Sequence, residues 1–197
     1  MKWEYSMSQP ILKLPYNGKL LCTQESNSKD GKSHNGKYKN TRYALDFTID
    51  NKNSFEILAS TDGQVKIWRC CNHKSGNCKC GLGFGNQIRL YNDEYFTFYA
   101  HLGKIFVKNG QFVKQGQVIG LAGNTGLAGT VHLHWTLGIE SKENKPIEGK
   151  FIPFESIKAR NVEIKFKNKK KSVSGSYFKE EIFYSSTNKK LPLNILK

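Results

Sequence analysis

The sequence predicts an all-β fold, mainly antiparallel sheets, with a small C-terminal β extension. Three observations predict it. Short segments alternate apolar and polar residues with period two. Turn signals such as Thr61-Asp62-Gly63, Asn92-Asp93-Glu94, Asn109-Gly110 and Gln115-Gly116 recur at short intervals. No stretch shows the apolar periodicity of an amphipathic helix of four turns.

The elements follow in order. Residues 1 to about 19 are irregular, because Pro10 and Pro15 oppose helix. Leu20 to Thr23 reads as a short strand, and Gln24 to Asn40, rich in Ser, Asn, Gly and Lys, as a long loop holding His34. Tyr43 to Asp50 alternates: Leu45, Phe47 and Ile49 share one face, Ala44, Asp46 and Thr48 the other. Phe55 to Ala59 and Gly63 to Trp68 are two further strands. Arg69 to Gly85 reads as an insertion containing clustered cysteines. Asn86 to Tyr91 and Tyr95 to His101 form a hairpin. In its second strand Thr97, Tyr99 and His101 share a face, and Phe96, Phe98 and Ala100 share the other. Ile105–Val107, Gln111–Val113 and Gln117–Leu121 are short β segments between glycine turns. The loop Ala122-Gly123-Asn124-Thr125-Gly126 precedes a strand over 129–137. Phe154 to Ile157 reads as a short helical turn, and Asn161–Lys167 with Ser176–Ser185 as a terminal hairpin around the basic run Lys167 to Lys171. The expected division is an N-terminal lead-in over 1–20, a main domain over 21–157 and a basic extension over 158–197.

The chain has 197 residues, 38% hydrophobic and 12% aromatic, which suits a globular domain rather than a disordered chain. No apolar run is long enough for a membrane span. The first ten residues lack the apolar segment of a signal peptide. Lys and Arg number 31 against 16 Asp and Glu, a net charge of +15, and residues 158–197 contribute eleven Lys/Arg against three Glu. An excess of that size favours an anionic partner, with nucleic acid, anionic lipid and anionic wall polymers all eligible. Aromatic residues Tyr177, Phe178, Phe183 and Tyr184 near the lysine run would suit base stacking.

The chemistry centres on His132-Leu133-His134. In a strand, Val131, Leu133, Trp135 and Leu137 form an apolar face, and His132 and His134 stand together on the other. The chain has five histidines, His34, His73, His101, His132 and His134. Three of them, with Asp46, fall on strand faces away from the expected core. Hydrolytic zinc sites use three His or carboxylate ligands and keep one position open for water. Neighbouring imidazoles can stabilise a developing oxyanion or move a proton to a leaving amine.

An ordered set of motifs resembles the lysostaphin-type, or LytM-type, M23 family of zinc metallopeptidases. It runs through Ser33-His34-Asn35-Gly36, Tyr43-Ala44-Leu45-Asp46-Phe47, Gly63-Gln64-Val65 and Gly83-Phe84-Gly85-Asn86-Gln87-Ile88. Phe98-Tyr99-Ala100-His101-Leu102, Val113-Lys114-Gln115-Gly116-Gln117-Val118-Ile119-Gly120, Gly123-Asn124-Thr125-Gly126 and His132-Leu133-His134 complete it. Each piece alone is weak, and the order carries the likeness. The resemblance implies an M23-type β core with an active-site groove and one Zn2+ held by His34, Asp46 and His134. It makes His101 and His132 the catalytic imidazoles, one polarising water and one stabilising the oxyanion or relaying a proton. It further implies a secreted or periplasmic enzyme of the bacterial cell envelope, an endopeptidase cleaving peptidoglycan stem or cross-bridge peptides. An anionic cell-wall polymer is then the expected partner of the basic extension, ahead of nucleic acid. Two departures stand out: a longer His34–Asp46 spacing than in the tightest members, and the 69–85 insertion.

Cys70, Cys71, Cys78 and Cys80 have two readings. One is a hairpin stapled by two disulfides, each joining Cys70 or Cys71 to Cys78 or Cys80. The other is a small zinc site, with or without His73. An oxidising envelope favours the staple. Cys22 reads as a buried small hydrophobe and His73 as a surface residue. Two other function classes remain. One is a non-catalytic LytM-type adaptor that binds cell wall or activates another hydrolase, which should bind no stoichiometric zinc. The other is a biotinyl/lipoyl-like carrier, which the 107–119 hairpin resembles without a carrier's lysine signature and which leaves the histidines unexplained.

Overall fold

The computed structural model describes residues 10, 12–17, 20–24, 34, 38–50, 52–69, 78–141, 153–157, 162–166 and 181–185. Its strands are β1 (Leu21–Gln24), β2 (Leu45–Thr48), β3 (Glu56–Leu58), β4 (Gly63–Trp68), β5 (Gln87–Asn92), β6 (Tyr95–Ala100) and β7 (Leu102–Ile105). They continue with β8 (Phe112–Val113), β9 (Val118–Ala122), β10 (Leu133–Glu140), β11 (Phe154–Ile157), β12 (Val162–Phe166) and β13 (Glu181–Ser185). A tight helical turn, Cys80–Gly83, precedes β5. The large sheet runs β1-β2-β10-β6-β5-β4-β8, with β11 also on β10; β3-β9-β7 form a second sheet and β12-β13 a third. Every pairing is antiparallel. The all-β expectation and the terminal hairpin both hold.

The main core lies between the first two sheets. Leu45, Phe47, Val65, Ile88, Leu90, Tyr99, Leu133, Trp135 and Leu137 supply it from the large sheet, and Ile57, Leu102, Ile119 and Ala122 from the second. Leu12, Tyr16 and Leu20 of the lead-in also pack into it. Lys13 N donates to Ser60 O at 2.9 Å and Leu58 N to Pro15 O at 2.8 Å, fixing that segment. Cys22 is fully buried here, as expected of a small hydrophobe.

The opposite face of the large sheet is also covered. Phe84, Phe96, Phe98, Ala100 and Phe154 form a second buried cluster with Tyr91 against it. Arg89 on β5 is fully buried in this layer. Its guanidinium lies 4.7 Å from the Trp68 and Phe96 ring centroids and 4.9 Å from that of Phe154. It reaches the Tyr91 hydroxyl, which donates to Glu140 Oε1 at 2.6 Å. Burial pulls the Arg89 pKa below its ordinary value, partly offset by Tyr91 and Glu140. Arg89→Ala is expected to lower stability by about 2–4 kcal/mol, since it leaves a void between rings and removes the cation they surround. Arg89→Met, which refills the volume without a charge, should recover most of it. Urea midpoints at constant m check both.

Three expectations are corrected. Phe154–Ile157 is a strand, not a helical turn. The half of β10 beyond β2, Leu137–Glu140, has an open edge there, and β11 pairs with it. Ile49 is not core: β2 ends at Thr48, and Asp50 Oδ1 accepts from Lys52 N and Asn53 N, turning the chain outward and leaving Ile49 40% exposed. The segment expected at 105–107 is β7, three residues earlier, because the chain re-enters a sheet directly after His101. Of the cysteine cluster, Cys80 is disulfide-bonded. Cys70, Cys71, His73 and the run Lys167 to Lys171 lie outside the described residues.

Candidate metal centre

The β2–β10 register builds the site. Asp46 pairs directly with His134, and His134 with Ala100 of β6, so the three share one sheet face. It is the face of the second aromatic cluster, at the end where that cluster stops. Phe84 packs beside the His134 ring at a centroid distance of 5.3 Å and Phe98 at 6.2 Å. On the reverse face Leu133 and Trp135 are locked in the main core. The His134 side chain is therefore held from both sides of its strand.

The structure brings His34, Asp46 and His134, the three residues the resemblance implies as ligands, into one cluster. All three are buried, at 1%, 8% and 4% exposure, and their ligand atoms lie within 4.8 Å of one another. His134 Nδ1 stands 2.9 Å from Asp46 Oδ1, and His34 Nε2 stands 3.6 Å from the same oxygen. Ligands about 2.0–2.1 Å from a tetrahedral zinc lie about 3.3 Å apart, and the two separations bracket that value. The donor set, two imidazoles and one carboxylate with no thiolate, is that of a hydrolytic zinc site. The residues fit the ion.

Burial alone would raise the pKa of the Asp46 carboxyl. The His34 imidazole, the His134 hydrogen bond and the nearby His134 and His132 rings outweigh it and hold the carboxyl well below the usual carboxylate range. Asp46 is thus a fixed anion at neutral pH.

His101 and His132 flank this set. Their ring centroids are 4.6 Å apart, and His101 lies 5.9 Å from His134. His132 Nε2 is 4.0 Å from Asp46 Oδ2. His132 reaches the face by ordinary alternation from His134. His101 does not. Alternation along β6 puts it with Thr97 and Tyr99, and Tyr99 is buried in the main core. A left-handed backbone at His101, φ 61°, breaks the alternation and carries its side chain to the site instead. The face shared by Thr97, Tyr99 and His101 in the sequence reading is corrected accordingly.

The loops set the ring tautomers. His101 Nδ1 lies 2.8 Å from Thr125 O and His132 Nδ1 3.0 Å from Thr130 O. A carbonyl only accepts, so each Nδ1 donates and each neutral ring keeps its lone pair on Nε2. Burial, with the His132 and His134 rings nearby, pushes the His101 pKa down to about 3. Thr125 is itself pinned: its hydroxyl donates to Leu102 O and accepts from Asn86 N, both at 3.0 Å. Gly126 has φ 80°, and a Cβ there would stand 2.3 Å from Gly83 O, so only glycine lets the two loops close. The Gly-Asn-Thr-Gly stretch signalled this loop, but nothing in the sequence singled out Thr125 or Thr130 as the groups that orient the imidazoles.

The residues open onto a cavity of about 620 Å³, lined also by Tyr38, Leu82, Phe84 and Leu127. Its border at 38–43 is tied to β11. Tyr43 N donates to the Ser156 hydroxyl at 3.1 Å, and that hydroxyl donates to Lys39 O at 2.7 Å.

Comparison with known proteins bears on this arrangement. Among solved structures, similar chains include a mutant catalytic domain of the prophage-encoded M23 protein EnpA from Enterococcus faecalis. It is 20% identical, covering 65% of this chain and 88% of that one, with a TM-score of 0.47. The catalytic domain of the antimicrobial peptidase lysostaphin from Staphylococcus simulans is 26% identical, covering 63% and 82%, with a TM-score of 0.42. A chain of the SpoIIQ-SpoIIIAH pore forming complex is 22% identical, covering 66% and 84%, with a TM-score of 0.46. No curated protein matches the sequence. The family model for Peptidase family M23 matches residues 40–147, a span that contains Asp46, His101, His132 and His134. That span is more than half of the chain, and the chain belongs to peptidase family M23.

Proposed function

We propose that the chain is a zinc-dependent endopeptidase that hydrolyses amide bonds in the stem or cross-bridge peptides of peptidoglycan. The observation that carries this reading is the buried His34–Asp46–His134 set with two further imidazoles, His101 and His132, beside it. A zinc ion held there would supply Lewis acidity to a scissile carbonyl and lower the pKa of water at the site. The rest is the work of this chain's residues. Asp46 neutralises the positive charge gathered in a buried space. Thr125 and Thr130 hold two imidazoles with Nε2 as the acceptor, so one ring can take a proton from water. The other, once protonated, can stabilise the oxyanion or pass a proton to the departing amine. Retention of all five residues in one place speaks against a non-catalytic adaptor.

On this reading the enzyme works at the bacterial cell envelope, periplasmic or secreted, and residues 158–197 form a separate basic extension that holds an anionic wall polymer. Among the described residues no helix is long and apolar enough to cross a membrane. The test is incubation of the purified full chain with defined muropeptides, products read by mass. One product pair from a single amide is expected. A strong chelator should abolish cleavage, and stoichiometric zinc should restore it. Intact muropeptides with the zinc-loaded chain would sink the proposal.

A further inference from the structure

We propose that Leu82 and Leu127 form an apolar subsite beside the metal centre that receives an aliphatic side chain of an uncharged peptide segment. The inference rests on the peptidase reading and adds the substrate class to it. Three observations carry it.

The first is charge. The chain holds 31 Lys and Arg, yet none lines the cavity among the described residues, and Asp46 is the one carboxylate there. The walls away from the metal ligands are Tyr38, Leu82, Phe84, Leu127 and Ala128 with a few neutral polar groups. Against those walls a charged side chain would lose water without gaining a partner.

The second is exposure. Leu82 is 40% and Leu127 54% exposed, and both line the same concavity as the buried ligand set. Tyr38, 55% exposed, adds a third apolar surface. Large apolar side chains left open at the mouth of a polar-floored pocket are what an apolar part of a ligand would cover.

The third is backbone strain. Leu82 adopts φ 56° and ψ 32°, a left-handed conformation that a leucine rarely takes. The surrounding turn enforces it: Gly83 N donates to Lys79 O at 2.9 Å, Phe84 N to Gly81 O at 3.1 Å and Gly85 N to Cys80 O at 3.2 Å. Cys80, adjoining, is disulfide-bonded. The turn is clamped to the Leu127 loop by Leu127 N to Gly83 O at 2.7 Å and Cys78 N to Gly126 O at 3.1 Å. Leu127 lies over Gly83, where a Cβ would come within 2.9 Å of its Cδ1. The two leucines thus stand on one rigid wall, and an unfavourable backbone persists where it presents an exposed apolar side chain to the site.

The experiment uses the zinc-loaded full chain and glycine peptides carrying Leu, Ala, Lys or Glu on either side of the scissile bond. At one of these positions kcat/KM for Leu should exceed that for Lys by about 10-fold or more, the range for an apolar group gained in a pocket. In the double variant Leu82→Asn, Leu127→Asn the Leu/Lys ratio should fall towards one while zinc content is unchanged. Asparagine tolerates the left-handed backbone, so the variant adds no strain at position 82. A ratio below about 2-fold in the parent chain, or one unchanged in the double variant, overturns the proposal. If the parent chain cleaves none of the peptides, the peptidase reading is judged separately, on muropeptides. The subsite is then judged by Kd from calorimetry with the same peptides: a Leu preference lost in the double variant upholds it, and equal Kd values overturn it.

Discussion

Asp46→Ala is expected to abolish stoichiometric zinc binding and, with it, all peptide hydrolysis. Asp46 stands close to three of the four histidines of the centre. His134 Nδ1 stands 2.9 Å from its Oδ1, His34 Nε2 3.6 Å from the same atom, and His132 Nε2 4.0 Å from Oδ2. On the proposed reading its removal takes away a ligand and leaves buried imidazoles with no anion to balance a divalent cation. Affinity should therefore fall by well over the about 10–100-fold seen when only an outer-shell partner of a zinc ligand is lost. Elemental analysis after dialysis should find about one zinc per parent chain and almost none per variant. Zinc should raise the melting temperature of the parent only, since an ion that binds the native state alone stabilises it by mass action. In the metal-free chain the folded Asp46 pKa lies below the ordinary carboxylate value of about 3.8. A depressed carboxylate stabilises the fold above its unfolded pKa, and this stability is lost as pH falls below about 3.8. Asp46→Asn should remove that part of the acid sensitivity. A variant that keeps one tightly held zinc would dismiss Asp46 as a ligand.

The parts of this centre differ in how legible they were. Asp46 and His134 were readable because each sits inside a regular strand, where alternation fixes the face, and their pairing needs only the β2–β10 register. His34 came from an ordered motif, not from any periodicity. His101 shows where alternation fails: one residue at φ 61° after β6 exchanges the face, and no side-chain pattern encodes that rotation. Alternation puts Phe96 and Phe98 on one strand face and leaves Phe154 in a turn, and it does not mark the three as a second buried layer, because a single apolar face against a single core satisfies the same pattern. The layer forms because both faces of the large sheet are covered, the second by rings gathered around Arg89. Leu82 and Leu127 carry no sequence signature, since an exposed leucine in a loop follows no pattern. Their place depends on the clamp between two loops 44 positions apart, Gly83 to Leu127.

His101 and His132 should behave in the opposite way to Asp46: zinc retained, turnover lost. Neither belongs to the compact ligand set, and both are fixed through Nδ1 by loop carbonyls that leave Nε2 available. Removing a positioned acid or base typically costs about 10²–10⁴-fold in rate. His132→Ala should therefore lower kcat by that order with little change in KM, and zinc per chain should stay near one. At position 101 alanine is a poor probe, because a left-handed backbone disfavours it and misfolding would mimic lost catalysis. His101→Asn suits the conformation, keeps a polar group near Thr125 O, and cannot take up a proton at neutral pH. It should lose rate to the same degree at a nearly unchanged melting temperature. If the two imidazoles serve one proton path, the double variant will be hardly worse than either single one, as expected for groups that act as a unit. Fully additive losses would instead mean separate roles, one ring on the water and the other on the oxyanion. Full activity in either single variant would remove that ring from the mechanism, however close it stands to the ligands.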